Sequence, residues 1–416
     1  MTNAETTTHH TRRTPRRSVL LEPGFARLWL GTTASGLATW SLPFVLGLAV
    51  LTRELSAAGL GVVLAARTAG FLLAVPVSGV LADRHSRRAV VLWAGLAAAA
   101  GAPVIAFGLD RSVPLMAVAA LMVGAGQGAC RPAFQALVAE VVEPARRQTA
   151  NAAMALSVRV ITLTAPALTA LLATVLSTSA LLVGTGVVWL FAALVPPRGR
   201  HTAPTDARSF SFVREFADGV REARRHPWFL AGLCALTAVI ATGYSATAVV
   251  LPLVSRDRYD TEAVLAAALT AYTAGALLGA LVVARWRPRA QGWAALAALA
   301  CYGFAPLALL FPVHWVVVVA AYVVAGLGIE LFNVPWFTAT QREVAPDKLA
   351  RVSSLDFLLS YGLAPLGLAL IAPAIDAFGV TAVLGVCAAA CFVVPVAAMF
   401  APTTREFGRR EDRVSG

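Results

Sequence analysis

Long apolar runs separated by short polar joints fill the chain from residue 25 to residue 402. Crossing the hydrocarbon core of a bilayer takes about 20 apolar residues in a helix. The runs predict such helices at 25–51, 57–82, 89–108, 113–139, 150–174 and 178–196. A polar stretch at 197–227 interrupts them, and they resume at 228–254, 261–284, 292–312, 314–340, 350–374 and 378–402. The joins at 109–112 and 312–315 are tight. Twelve spans would bring both ends of the chain to the same side.

The placement of positive charge tests that count, because arginine and lysine concentrate in cytoplasmic loops. Of 34 such residues, only Arg53, Arg111, Arg256 and Arg258 fall on one side, and Arg67, Arg131 and Arg159 lie inside spans. All the others belong to the two tails, counting Arg27 at the mouth of the first span with the N-terminal one, or to joints 83–88, 140–149, 197–227, 285–291 and 341–351, which the count places together. A miscounted helix would have scrambled this asymmetry beyond the error. The expected organisation is a disordered cytoplasmic tail at 1–24, six helices at 25–196, a cytoplasmic linker at 197–227, six more helices at 228–402, and a cytoplasmic tail at 403–416.

Composition agrees. The 416 residues are 58% hydrophobic and 13% charged, where a soluble domain carries roughly 25% charged residues. The formal charge of +12 sits in joints and tails instead of on a recognition surface, which argues against a nucleic-acid partner. Cys130, Cys234, Cys301, Cys387 and Cys391 all lie within apolar runs and read as small core residues. Without a neighbouring His or acid, Cys387 and Cys391 do not make a metal site. Arg12, Arg13, Arg16 and Arg17 precede a run too long for a signal-peptide core, so an uncleaved first helix is expected.

Within the linker, Phe212, Phe216 and Val220 recur every four residues amid Arg214, Asp218, Arg221, Arg224 and Arg225. That spacing predicts an amphipathic helix on the membrane surface, a tether between the halves. The halves echo each other at an offset of about 200 residues: Pro144 and Pro346 each lead into a helix holding Ala-Pro, at Pro166 and Pro365. Gly279 with Arg285, Arg287 and Arg289 forms a degenerate second copy of the stretch around Gly79.

That stretch, residues 79–91, is the strongest motif in the chain. Gly79-Val-Leu-Ala-Asp83-Arg84-His-Ser86-Arg87-Arg88 resembles the loop between the second and third helices of major facilitator superfamily transporters, with Ser86 in place of a second glycine. Leu64 to Thr68, Arg131 to Leu137, Ala150-Asn151-Ala152, Phe332 to Trp336, Gln341, and Arg351 to Asp356 resemble the branch related to the enterobactin exporter, abundant in actinobacteria. The helix-5 signature of drug antiporters is reduced to Ala165-Pro166. The resemblance implies an all-α membrane protein of two six-helix bundles, working by alternating access. It implies a gate made of Gly79, Asp83, Arg84, Arg87, Arg88 and Glu140, with Asp83 meeting Ser353–Ser354 and Arg87 meeting Glu140. It also implies that helices 1, 4, 7 and 10 line a central cavity.

Ionised groups deep in a membrane cost about 2.5–3.5 kcal/mol unless paired or wet, so Arg67, Arg131, Arg159, Glu330 and Asp356 each require a reason. Gln127, Arg131 and Gln135 form a polar stripe at four-residue spacing, a candidate substrate surface or a ladder between helices. Glu330 lies about 15 Å from the basic end of its helix, level with Arg131 and Arg159. It is a candidate proton-coupling residue, with a static salt bridge as the alternative. Asp356, the second coupling candidate, sits near a helix start and suits a structural role. Arg159, Asn333, Trp40, Tyr244 and Trp336 complete the candidate cavity residues.

The expected function is secondary transport without a cofactor, using a proton gradient to export a small amphipathic metabolite, siderophore or drug. A nutrient permease is the nearest alternative. A membrane enzyme or sensor fits less well, since His9, His10, His85, His201, His226 and His314 lie in tails or joints. No phosphate-binding Gly-x-x-x-x-Gly-Lys-Ser/Thr motif is present. The plasma membrane is the expected location, the lipid bilayer and a small molecule the expected partners, and a monomer the expected state.

Overall fold

The structure is a computed structural model that describes residues 19–84, 86–199, 212–261, 263–360, 362 and 364–408. The side chains of Asp83, Arg84, Phe212 and Pro365 lie outside that description, as do residues 1–18, 200–211 and 409–416. The described residues are helical throughout, with no strand. The first half holds α1 (Pro23–Leu51), α2 (Ala57–Arg84), α3 (Arg87–Gly108), α4 (Val113–Val141), α5 (Arg147–Leu172) and α6 (Thr178–Leu194). The linker helix is α7 (Phe212–Arg225). The second half holds α8 (Pro227–Tyr259), α9 (Ala263–Val283), α10 (Gln291–Leu310) and α11 (Trp315–Glu343). It ends with α12 (Leu349–Ser360), α13 (Ala364–Phe378) and α14 (Val380–Met399).

Ten of these helices are long and apolar enough to span a membrane. Against the expected twelve spans, two differ. The helix α6 has only 17 residues, and the span expected at 350–374 is divided into α12 and α13. Helix ends follow the local chemistry: Ser86, Ser112 and Ser177 each cap the helix that follows through a side-chain oxygen. Ser86, the one departure from the motif, thus starts α3 by accepting from the Ala89 amide at 3.4 Å.

Small residues set the closest packing, as expected where lipid gives no hydrophobic drive between helices. A Cβ on Gly124 would meet the Arg67 carbonyl at 1.9 Å, and one on Gly70 the Leu121 carbonyl at 2.1 Å, so α2 and α4 touch backbone to backbone. In the second half α9 and α11 do the same: Gly326 lies against the Tyr272 carbonyl and Gly275 against that of Val323. These matched contacts are a second mark of internal duplication, beyond the prolines.

Residues at both ends of the described chain pack against the bundles. Val19 is buried and Glu22 pairs with Arg146, so residues 19–24 are not the disordered stretch expected there. At the other end, Phe407 is buried against Trp228 and Trp336, and Arg342 donates to the Phe407 carbonyl at 3.0 Å. The linker helix α7 docks onto the start of α12: Glu222, 7% exposed, accepts from Lys348 at 2.8 Å. Burial pushes the Glu222 carboxyl up, but Lys348, Arg225 and His226 outweigh it and hold it below its ordinary value. A depressed carboxylate stabilises the docked state above its unfolded value, about 4.3, and the contribution disappears as pH falls below that.

Two outcomes are expected. Gly124→Leu should cost more than about 3 kcal/mol by forcing α2 from α4, whereas Gly184→Ala, with open space around it, should be neutral or slightly stabilising. Thermal unfolding in detergent distinguishes them. Glu222→Gln should raise hydrogen exchange in residues 212–225 about tenfold at pH 7, a difference that shrinks as pH falls below about 4.3 and is lost once pH falls through the depressed folded value.

Candidate gate and central cavity

Contacts between the two halves concentrate at the arginine-rich face. Helix α2 crosses α12 there, and α5 meets α9 and α11. Gly79 is the point of closest approach: an added Cβ would sit 2.4 Å from Ser354 Oγ and 2.9 Å from the Ala350 carbonyl. Arg87, 6% exposed, binds Glu140 at 2.8 Å and donates to the Ala136 carbonyl at 3.2 Å. Its other nitrogen donates to the Pro346 carbonyl of the opposite half. Arg88 is half-buried and donates to the Leu194 carbonyl at 2.9 Å, within its own half.

The start of α5 supplies a second set of links, in which Asn151 and Gln341 were named by the family resemblance and Arg147 and Gln148 were not singled out. Arg147 donates to the Gln341 carbonyl at 2.7 Å and to the Ala139 carbonyl at 2.8 Å. Gln148, 6% exposed, donates to the carbonyls of Val283 and Trp286 at 2.7 and 2.8 Å. Asn151 donates to Thr338 and Gln341, at 2.9 and 3.0 Å. Gln341 in turn donates to the Gln135 carbonyl at 3.0 Å. A cluster of polar residues opening an otherwise apolar span was the available signal. Gln135 therefore also joins this seam, through its carbonyl and, at 3.3 Å, its side-chain oxygen.

Deeper in the membrane, Arg159 of α5 and Glu330 of α11 form an ion pair across the halves, with Arg159 Nε 2.7 Å from Glu330 Oε1. Glu330 is 3% exposed, and the Arg159 guanidinium lies 5.7 Å from the centre of the Tyr272 ring. Arg67, for which the sequence suggested no partner, reaches from α2 to both neighbours. It donates to Gln127 Oε1 of α4 at 2.6 Å and to the Thr39 carbonyl of α1 at 3.2 Å. Pro43 explains that second acceptor: it lacks the N–H that would otherwise bond Thr39 four residues earlier.

The remaining candidates separate by exposure. Gln127 and Arg131 are half-buried, while Trp40 and Tyr244 are 41% and 46% exposed. Tyr244 ends a widened helical turn at Val239–Tyr244. Trp336 is not a cavity wall: it is fully buried, stacked on Phe229 at 4.9 Å and Phe332 at 5.4 Å. A ring this large wins more by leaving water entirely than by facing a wet cavity. Asn333 is also buried, as is Asp356, which accepts from Ser360 at 3.1 Å. A groove of about 470 Å³ on the first half, lined by Ala74, Val77, Trp93, Ala97 and Ala125, is apolar and shares none of these residues. No His, Cys, Asp or Glu cluster suited to a metal occurs among the described residues.

A two-part helical membrane protein, sealed between its halves at one face and holding half-exposed polar groups behind the seal, is the architecture of a transporter. Residues 28–367 match the Major Facilitator Superfamily model, and the chain belongs to that family. It is a multi-pass membrane transporter of small molecules, not an enzyme. It is 25% identical over 374 residues to macrolide efflux protein A of Streptococcus pyogenes, covering 86% of this chain and 90% of that protein. Solved structures share the fold at 16% identity, each over 90% of this chain. The human organic anion transporter MFSD10 superposes with a TM-score of 0.73 over 99% of its length. A bacterial homologue of ferroportin in an outward-facing state gives 0.72 over 98% of its length.

The seam yields a direct expectation. Gly79→Val should push α12 from α2 and open the arginine-rich face. A cysteine placed at Ser354 should then react with a membrane-impermeant maleimide at least tenfold faster than in the Gly79 parent. Equal rates in the two backgrounds would show that Gly79 does not control closure.

Proposed function

We propose that this chain is a proton-driven exporter of a small amphipathic compound, with the arginine-rich face in the cytoplasm of a plasma-membrane protein. The observation that carries this reading is the seal at that face, where Gly79, Arg87, Arg147, Gln148 and Asn151 meet the second half. Substrate would enter when these contacts break and leave when they re-form. The relationship to a macrolide efflux protein supports the outward direction.

Energy would enter through Glu330. Paired with Arg159 it holds α5 to α11, and protonation removes its charge and weakens that bond. A buried pair broken on one side costs about 3–5 kcal/mol, enough to bias two conformations separated by a few kcal/mol. Proton binding from outside and release inside would then reset the protein after each export event. Asp356, buried in the last turns of α12, accepts from Ser360 one turn later in the same helix.

Small molecules in medium and cells should be compared by mass spectrometry for strains with the protein, without it, and with Glu330→Gln, each with and without a protonophore. The expected result is a compound enriched outside only with the native protein and an intact proton gradient. Protonophore-sensitive export that persists in Glu330→Gln would end the coupling assignment. Enrichment inside cells would reverse the direction.

A further inference from the structure

We infer that the corner where α6 ends against α1 and α3, at the arginine-rich face, binds the headgroup of an anionic phospholipid through Arg27, Arg88 and Arg198. The inference rests on the membrane location and is independent of the direction and coupling of transport.

The end of α6 brings the three arginines together. The last carbonyls of a helix have no partner within it, and here two neighbouring helices supply one each. Arg27 of α1 donates through Nε to the Val195 carbonyl at 3.0 Å. Arg88 of α3 donates through Nη2 to the Leu194 carbonyl at 2.9 Å. Acceptors on consecutive residues keep the two guanidiniums close. Arg198 follows three residues after Val195, and the chain between them is pinned to α1: the Pro196 ring lies against Gly31, one turn from Arg27.

These bonds leave positive charge in excess. Among the described residues no carboxylate pairs with Arg27, Arg88 or Arg198. Glu140, which lies against Gly199, is bound to Arg87. The end of α6 offers only about half an elementary negative charge, set against three arginines. Arg27 and Arg198 are exposed, and Arg88 keeps Nη1 without an acceptor.

One turn further into the membrane the surface is apolar and uncovered. Leu30 of α1 is 42% exposed, and Phe191 and Leu194 of α6 are 47% and 54% exposed. Charge at headgroup depth thus borders side chains that face acyl chains, matching the two parts of one phospholipid. Guanidiniums pair with phosphate oxygens through parallel hydrogen bonds. A free phosphate would use the arginines and gain nothing from the apolar border. A zwitterionic headgroup would bring its own cation toward them.

The test titrates the purified full-length chain with phosphatidylglycerol or phosphatidylcholine of the same acyl chains and counts bound lipid by native mass spectrometry. The first phosphatidylglycerol should bind at least tenfold tighter than the first phosphatidylcholine. Arg27→Gln, Arg88→Gln and Arg198→Gln should each lower that preference at least threefold. Arg224→Gln, which removes the same charge from an exposed position on α7, should leave it intact. Arg198 is exposed, so its substitution decides where thermal unfolding shows that either of the others fails to fold. Equal affinity for the two lipids, or a preference unchanged in all three variants, overturns the inference. An equal loss in Arg224→Gln would trace the preference to net charge and overturn it too. So would displacement of phosphatidylglycerol by equimolar glycerol 3-phosphate, the mark of a soluble-phosphate site.

Discussion

Hydrocarbon offers no water to an unsatisfied polar group, so every such group in the spans must find its partner inside the protein. That constraint organises the molecule. Pro43 frees the Thr39 carbonyl within α1, and Arg67 of α2 takes it. Glu330 and Arg159, each costly alone, bring α5 and α11 together from opposite halves. At the arginine-rich face the guanidiniums and amides of Arg87, Arg147 and Gln148 donate to backbone carbonyls across the seam. Polar groups that would destabilise a span become the contacts that hold one conformation.

Contacts of this kind suit a protein that must change shape. A seam of individual hydrogen bonds and one ion pair can be exchanged for water or substrate one at a time. The tightly interlocked cores of the two halves cannot. The glycine contacts between α2 and α4, and between α9 and α11, join backbones inside each half. The aromatic group around Trp336 fills the second half near the same face. In the proposed cycle each half would move as a unit, with the change confined to the seam between them. The linker helix, docked through Glu222 and Lys348, ties the start of α12 to the only long connection between halves.

The two halves differ in the polar groups that their spans carry. The first half carries Arg67, Gln127, Arg131 and Arg159, and the second carries Glu330, which Arg159 binds. The packing glycines stand in matching places, Gly70 and Gly124 in one half and Gly275 and Gly326 in the other. Contact of one backbone with another fixes those positions in both halves, and no such contact fixes the polar groups.

Much of this was legible in the residues alone. Apolar run lengths, the one-sided arginines and the Gly79 motif determined the membrane location, the helical class and the family, because hydrophobic thickness and charge placement act locally along the chain. Only the tertiary structure decided who partners whom. Trp336 looked like a cavity wall and is core, since whether an aromatic ring faces water depends on neighbours such as Phe229, distant in sequence. Gln135 continued a stripe by its spacing, and only the structure shows Gln341 of the other half bonded to it. Arg67 carried no visible partner because its acceptors lie on two other helices, one of them a carbonyl released by a proline. Helical periodicity says which residues share a face. Which face meets which is settled by long-range packing, where lipid, cavity and protein compete for each surface.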